Sequence, residues 1–597
     1  MRVASIHKVT IQNIHYFSSD KIPCRFNRLN VILRTIILPL GLFGLNQAWA
    51  ASPVDLAALQ RQNDVILQQQ QDQIRQDQEN ARRAIAPSGA SLKTPDMGKT
   101  EPVGPCRDIQ EIVINGADHL SKTTIKHIVQ AYQGRCLAAN DIEALLTQIT
   151  GAYFSRGYIT SRAYLPAQDL KTGKLTITVV EGVVERYQIE GPAASRIWPY
   201  GVFPSSSGSL LNLRDIEQGI DQINRASSNN ARLDIQPGSK AGESVVVVQN
   251  PSTFPLHLLT SFDNQSVAAT GRESGMVTIT EDGLLHANEV VSVTRRQTLP
   301  NNDNHFSRSN ALNVSLPFGY STLNFNVSSS AYNSLIHTPS GASLLSQGNT
   351  LTRSLGLDRV VYRDQDSRIS VSGTLSTQRT DSYIASQFLD VASRSLTSFD
   401  AGVAGFTRLA GGIFNMRLDY VHGLTILDAL NDPKGLPYDL PHAQFAKVMI
   451  DAGYDRPFSF MGQPLSWSSR LNAQTSSTSM FGSQQIIIGG PLSVRGFLNT
   501  SLSGDSGYYW RNELGMPRAF DLGGNTLNTR FYAGVDVGCV NNNAVGVPSG
   551  ALSGITLGVS GQLRQFSGEL SLSHELSQPA GTVRESGQVF FRLSYSN

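Results

Sequence analysis

Hydrophobic and polar positions keep one rhythm before residue 250 and another after it. From residue 251 to residue 597 helical spacing nearly vanishes and alternation takes over. Leu323, Phe325 and Val327 alternate with Asn324 and Asn326. Phe414, Met416, Leu418 and Tyr420 oppose Asn415, Arg417 and Asp419. Phe531, Ala533, Val535, Val537 and Cys539 oppose Arg530, Tyr532, Gly534, Asp536 and Gly538. At the end, Val589, Phe591, Leu593 and Tyr595 oppose Gln588, Arg592 and Ser594, with Phe590 the exception. A soluble sandwich would bury its apolar side and expose the polar one; here the polar side carries charge on strand after strand. That pattern fits a barrel with lipid outside and water inside. At about ten residues per strand, with connections of similar length, residues 251–597 hold about 16 strands. An interior that wide is a channel unless something fills it.

Between residues 106 and 250 the spacing is mixed. A strand is predicted over 109–114, a helix over 123–132, and a second helix from Asn140 with Glu143 completing a capping box. Ile142, Leu145, Leu146, Ile149 and Tyr153 share one face of that helix. Strands at 159–165 and 175–180 complete a β-α-α-β-β unit over residues 106–183. The order partly recurs over 184–250, with a strand at 186–189, a helix capped by Asn212 and strands at 231–235 and 244–248. Leu213, Ile216, Ile220 and Ile223 point inward from that helix. Two tandem modules of one type account for this, and exposed sheet edges in such modules can recruit an extended peptide as an added strand.

Ser52-Pro53-Val54-Asp55 places an N-cap, a proline at the first helical position and an acid at the third. Residues 51–85 are therefore expected as one long polar helix, with apolar residues too sparse for a heptad seam. That helix is the natural candidate for a plug of the barrel. Residues 86–105, rich in Pro and Gly, form a linker. Upstream, the apolar run 35–45 lies between Arg25, Arg28 and Arg34 and the small-residue site Ala48-Trp49-Ala50, the pattern of a secretory signal peptide over residues 1–50. The run is well short of the about 20 residues that span a bilayer.

Composition narrows the function classes. Charged residues make up 16% of the 597, against about 25% in ordinary soluble proteins, while mean hydropathy is slightly negative. Low charge without high hydropathy excludes a multi-helix membrane protein. A net charge of +2 gives no field that would draw nucleic acid, so no nucleic-acid partner is expected. Gly98-Lys99-Thr100 looks like the end of a phosphate loop, but Lys93 stands where the first glycine is required, so no nucleotide is expected. There is no G-x-S-x-G, no H-E-x-x-H, and no ligand spacing among the 11 His. No catalytic residue, metal or cofactor is therefore expected, and the chain is not read as an enzyme. Cys106 and Cys136 bracket the first predicted strand and helix. In an oxidising compartment they are expected as a disulfide, two buried thiols being the alternative.

Several local phrases carry a resemblance. In the first module they are residues 156–166 (RGYITSRAYLP), Gly173-Lys174-Leu175 and Glu181-Gly182. In the second they are residues 211–214 (LNLR), Pro237-Gly238 and Gly242-Glu243-Ser244. Asp263-Asn264 with Thr270-Gly271, and residues 316–319 (LPFG), follow in the barrel region. The most specific is Val494-Arg495-Gly496-Phe497, with Phe531, Gly534, Asp536 and Gly538 as an F-x-x-G-x-D-x-G strand about 40 residues later. The chain resembles the outer-membrane transporters of two-partner secretion, the TpsB class of the BamA-type superfamily, along essentially its whole mature length. The resemblance implies a β-barrel of about 16 antiparallel strands in a bacterial outer membrane. It also implies two periplasmic α/β POTRA modules and an N-terminal plug helix. The implied partner is an unfolded, secreted TpsA-type exoprotein that the POTRA modules recognise and the barrel exports without nucleotide hydrolysis. Arg495 is expected to meet Asp536 in the lumen as a loop-to-barrel gating pair. Val494, Gly496 and Phe497 then form the loop motif, and Phe531, Gly534 and Gly538 the strand motif. The alternation independently puts Asp536 on the polar face, and an Arg fork fixes a carboxylate where a Lys could not. One departure is the C-terminus, Tyr595-Ser596-Asn597, where such barrels usually end in an aromatic residue. The rival reading, a barrel-assembly insertase, is disfavoured by two modules in place of a longer array.

Overall fold

The computed structural model describes residues 105–337, 343–580, 582 and 584–597. The expected signal peptide (1–50), plug helix (51–85) and linker (86–105, save Pro105) lie outside the described residues.

In the first module Glu111–Asn115 runs parallel to Lys174–Val180, which pairs antiparallel with Arg162–Tyr164. Helices Lys122–Gln130 and Ala139–Phe154 cover this sheet, and Ile109, Leu145, Ile149, Tyr153, Leu175 and Ile177 form the buried core. The predicted strand 109–114 is broken at Gln110. Ile109 belongs instead to a separate strand, Arg107–Ile109, which turns away to pair with Arg135–Leu137, and a disulfide joins Cys106 to Cys136 beside that ribbon, with Cα atoms 5.3 Å apart. The second helix starts at Ala139, earlier than Asn140 would place it. Asp141 Oδ2 accepts the Ala138 N–H at 2.8 Å, so a carboxylate three residues past the cap closes the turn in place of Glu143.

The second module repeats the path. Val183–Glu190 lies parallel to Glu243–Gln249, which pairs antiparallel with Arg232–Pro237. Asn212 Oδ1 caps helix Leu213–Ile223 by accepting the Arg214 N–H at 2.9 Å, and Ile216, Ile220 and Ile223 enter the core. A four-residue helix, Pro199–Val202, stands in place of a longer first helix. Only Glu181 and Gly182 separate the two modules. Across this joint the Leu211 N–H donates to Gly182 O and the Leu213 N–H to Gly157 O, both at 2.8 Å, and Ile159 packs into the second module's core. Glu181 accepts Tyr153 O–H at 2.6 Å and His119 N–H at 2.8 Å. Burial alone would raise the Glu181 carboxyl, but these hydrogen bonds hold it below the usual carboxylate range.

Among the described residues, sixteen long antiparallel strands and the two-residue Gln387–Phe388 close into a barrel, from Leu256–Asp263 to Gln588–Ser596. The first and last strands pair from Arg592↔Asp263 to Ser596↔Leu259. Alternation sorts the two faces. Leu323, Phe325, Met416, Leu418, Tyr420, Phe531, Val535 and Leu593 stand exposed on the outside, an apolar extent no water-facing wall sustains. Asp400, Arg417, Asp419, Lys447, Asp451 and Glu513 line the interior. Phe590, the exception to the alternation, is fully buried. Tyr595 pairs with Phe566, and beyond it Asn597 Oδ1 accepts the Leu258 N–H at 2.7 Å.

The second module is docked on the barrel. From helix Leu213–Ile223, Gln222 Nε2 donates to Gly319 O at 2.9 Å, and Asp215 Oδ1 accepts the Tyr320 O–H at 2.5 Å. Asp221 and Glu217 hold Arg363 at 2.6 and 3.5 Å.

Candidate functional site

Residues 477–505, between strands Gln463–Ser476 and Ser506–Asp521, fold back into the barrel. Their sequence explains why: Ile486–Ile488 pairs with Leu502–Gly504 as a short ribbon, and the chain reverses at Gly489-Gly490, both at positive φ. Ile486, Ile488, Val494 and Phe497 pack against Val540 and Leu552. Those two wall residues are apolar positions on a largely polar inner face, and they make the loop's seat. Asp505, fully buried at the loop's base, accepts N–H groups from Met480 and Asn543 at 2.8 Å and from Gln485 Nε2 at 3.0 Å.

Arg495 at the loop tip is 5% exposed and reaches Asp536, which is fully buried. Nε donates to Asp536 Oδ2 at 2.6 Å and Nη2 to Oδ1 at 2.8 Å, a bidentate fork, and the Arg495 backbone N–H adds a third bond at 3.1 Å. Nη1 donates to Glu513 Oε1 at 2.8 Å, and Glu513 also accepts from Arg530 at 3.0 Å. Burial of Val494 and Phe497 stabilises the seat by about 1.5–3 kcal/mol each, whereas stranding one partner of a buried ion pair costs about 3–5 kcal/mol. The apolar seat and the ion pair are therefore of similar size, and the ion pair is the part whose loss leaves a buried charge behind.

Close approach explains the glycines. A Cβ at Gly534 would lie 2.7 Å from Arg495 Nη2, and one at Gly538 2.8 Å from Val494 Cγ2. Gly496 has φ +104° and backs onto the His574 carbonyl carbon, where a Cβ would come within 2.6 Å. The structure thus brings Val494, Arg495, Gly496, Phe497, Gly534, Asp536 and Gly538 together. Phe531 is not among them, since its parity turns it outward, where it stands exposed.

Three participants escape sequence reasoning. Glu513 sits on the neighbouring strand, where Arg511 and Glu513 alternate with outward Trp510 and Leu514; that charged parity was the available signal. Gly554 touches the tip so closely that a Cβ would fall 1.8 Å from Arg495 O. Glu585, in the last loop, accepts the backbone N–H groups of Leu498, Asn499 and Thr500 at 2.7–3.0 Å, and no local pattern announces it. Beside the loop, a cavity of about 1990 Å³ is lined by Arg417, Lys447, Arg470 and Glu513 and reaches Asn224 and Arg225 of the second module. Among the described residues no group of His, Cys, Asp and Glu could hold a metal ion.

Comparison with known proteins covers most of the chain. The family model for haemolysin secretion/activation protein ShlB/FhaC/HecB matches residues 242–561. A ShlB-type POTRA domain matches residues 108–182 and a further POTRA domain residues 183–237. The chain is 32% identical over 546 residues to the outer membrane transporter CdiB of Escherichia coli, covering 91% of this chain and 90% of that one. It is 31% identical over 498 residues to the hemolysin transporter protein ShlB of Serratia marcescens, covering 82% and 86%. The solved structure of CdiB from Escherichia coli superposes with a TM-score of 0.79 at 31% identity, covering 92% of this chain and all of that one. That of CdiB from Acinetobacter baumannii, at 21% identity, shares the fold with a TM-score of 0.74.

Proposed function

Because the chain belongs to the ShlB/FhaC/HecB family of haemolysin secretion/activation proteins, the TpsB outer-membrane transporters of two-partner secretion, we propose that it exports an unfolded TpsA-type exoprotein. The modules over residues 106–183 and 184–250 receive the passenger in the periplasm. The sheet edge Arg162–Tyr164, with Tyr164 and Leu165 exposed, supports capture by strand addition. The passenger then crosses the barrel of residues 251–597. The observation that carries this reading is the loop held across the lumen by the Arg495–Asp536 fork. Such a catch keeps the pore occupied at rest and frees it when the pair parts. Folding of the passenger outside withdraws it from the unfolded pool and supplies direction without nucleotide, by mass action. The helix of residues 51–85 serves as a second plug.

The deciding experiment removes the protein from its host and compares secreted and membrane proteomes. A large exoprotein should vanish from the medium while other barrel proteins stay in the membrane. Loss of barrel proteins with an unchanged medium would instead identify an insertase. Deleting residues 52–84 should raise the ion conductance of the purified protein in planar bilayers; unchanged conductance would remove the helix from the plug role.

A further inference from the structure

We propose that the second module rests against the periplasmic leaflet of the outer membrane, with Trp198 and Tyr200 seated in its lipid interface. Arg196 shows on which side of the barrel wall this part of the module lies. It pairs at 3.0 Å with Glu281, which shares the parity of the exposed, outward Val277 and Ile279, while Thr278 and Thr280 line the interior. Arg196 therefore reaches the outer face of the barrel, not the pore.

The following residues run along that rim. The Asn288 N–H donates to Arg196 O at 3.0 Å, and the Gly319 N–H donates to Gly201 O at 2.8 Å. The segment thus spans from the turn after Ser274–Asp282 to the turn after Phe306–Phe318. Its height follows from Phe318, the residue before Gly319, which is outward and exposed, as are Phe460, Phe520 and Phe566 at the module-side ends of other strands. A ring of outward aromatics at strand ends marks the interface of a transmembrane barrel, and helix Pro199–Val202 is bonded to the barrel at that ring.

At this level the module presents Trp198 and Tyr200, 50% and 55% exposed. Trp198 is held in place, since a Cβ on Gly201 would meet its ring at 2.5 Å. Amphipathic rings of this kind suit the boundary between headgroup and acyl chain better than bulk water. The residues that flank the two rings, Arg196 and Gly201, are both bonded to barrel turns, Gly201 beside the outward Phe318. The cavity reaches the same module elsewhere, at Asn224 and Arg225, so a passenger entering the pore does not account for the rim aromatics.

The test uses the exported chain, from residue 51, with Trp467→Phe and Trp510→Phe, which leaves Trp198 as the sole tryptophan. The protein is reconstituted in phosphatidylethanolamine and phosphatidylglycerol vesicles. Phospholipids brominated near the headgroup end of the acyl chain should quench Trp198 strongly, and its emission should lie to the blue of a water-exposed tryptophan. Emission at the water-exposed wavelength, unquenched by brominated lipid, would overturn the proposal. Quenching absent in vesicles, but emission shifted on adding an unfolded segment of the exported passenger, would also overturn it and make the patch a protein-docking surface. Trp198→Ser with Tyr200→Ser should leave the barrel assembled and speed hydrogen exchange of residues 194–202 in vesicles but not in detergent. Equal exchange in both would count against the proposal.

Discussion

Two arginines fasten the folded-back loop and the second module to the barrel, each between two carboxylates. Arg495 comes from the loop, and its partners Asp536 and Glu513 come from the wall. Arg363 comes from the wall, and its partners Asp221 and Glu217 come from the second module. The chemistry is the same, and the surroundings differ in how widely the attachment is spread. At the loop tip the fork is joined by Glu513 on the same guanidinium, by Arg511 on the Pro491 and Leu492 carbonyls and by Glu585 on the amides of residues 498–500, so the wall's hold is gathered on one short stretch around Arg495. At the module, Gln222 on Gly319, Tyr320 on Asp215, Asn288 on Gln222 and Arg196 on Glu281 share the load. Each module carboxylate also keeps a second arginine, Arg368 at 3.8 Å from Asp221 and Arg214 at 2.8 Å from Glu217, whereas at the loop Glu513 keeps Arg530 at 3.0 Å and Asp536 has Arg495 as its salt-bridge partner. Bonds gathered about one arginine at a loop tip make a catch that can part as a unit; bonds spread along a helix and two barrel turns make a fixed mounting.

The sharpest break of this comparison is Asp536→Ala, which removes the fork and leaves a buried guanidinium with Glu513 as its remaining carboxylate. A cost of about 3–5 kcal/mol corresponds to a shift of on the order of 100-fold or more in seated loop. Secretion should fall while the barrel still inserts, and residues 477–505 should become open to limited proteolysis. Arg495→Ala should do the same; unchanged secretion and unchanged proteolysis in both variants would dismiss the pair as a gate. Glu513→Gln leaves the fork and removes the second charge, so a smaller loosening is expected, about 1–3 kcal/mol, read as partial protease sensitivity. Loosening equal to that of Asp536→Ala would make Glu513 the principal partner.

Arg363→Ala should cost less again, about 1 kcal/mol, because the remaining arginines and backbone bonds keep both carboxylates partnered. Hydrogen exchange of residues 213–223 would register it, and exchange rising as steeply as in the loop-tip variants would erase the distinction between catch and mounting. The smallest effect belongs to the joint between modules. The folded-state pKa of Glu181 is lowered, so its contribution is full above the ordinary carboxylate range and is lost as pH falls through the lowered value. Hydrogen exchange of the first module should therefore quicken on acidification below about pH 4.3, and Glu181→Gln should flatten that dependence. A variant with the parent's full pH dependence would assign the effect to another carboxylate.

Much of this architecture is readable from spacing. Asn212 with Leu213, Ile216, Ile220 and Ile223 announces a capped helix, and the structure places it at Leu213–Ile223. The alternation around Asp536 puts it on the inner face without any knowledge of its partners. Where spacing misleads, a longer-range contact is responsible: the strand expected over 109–114 breaks at Gln110, where its first part leaves for the ribbon beside the disulfide. The phrases at 156–166, 181–182 and 211–214 are far apart in sequence and meet at the module joint, a convergence no window along the chain contains.

By itself the sequence determined the strand faces, the two modules and the polar position of Asp536, because a side chain's face follows from a period of two or 3.6 along its own element. Only the tertiary structure decided that Glu513 and Glu585 join Arg495, that Arg363 meets helix Leu213–Ile223, and that Arg196 reaches the outside of the wall. Those partners depend on how neighbouring strands are registered, where the loop descends and how the second module docks, and each of these exists only once the barrel has closed.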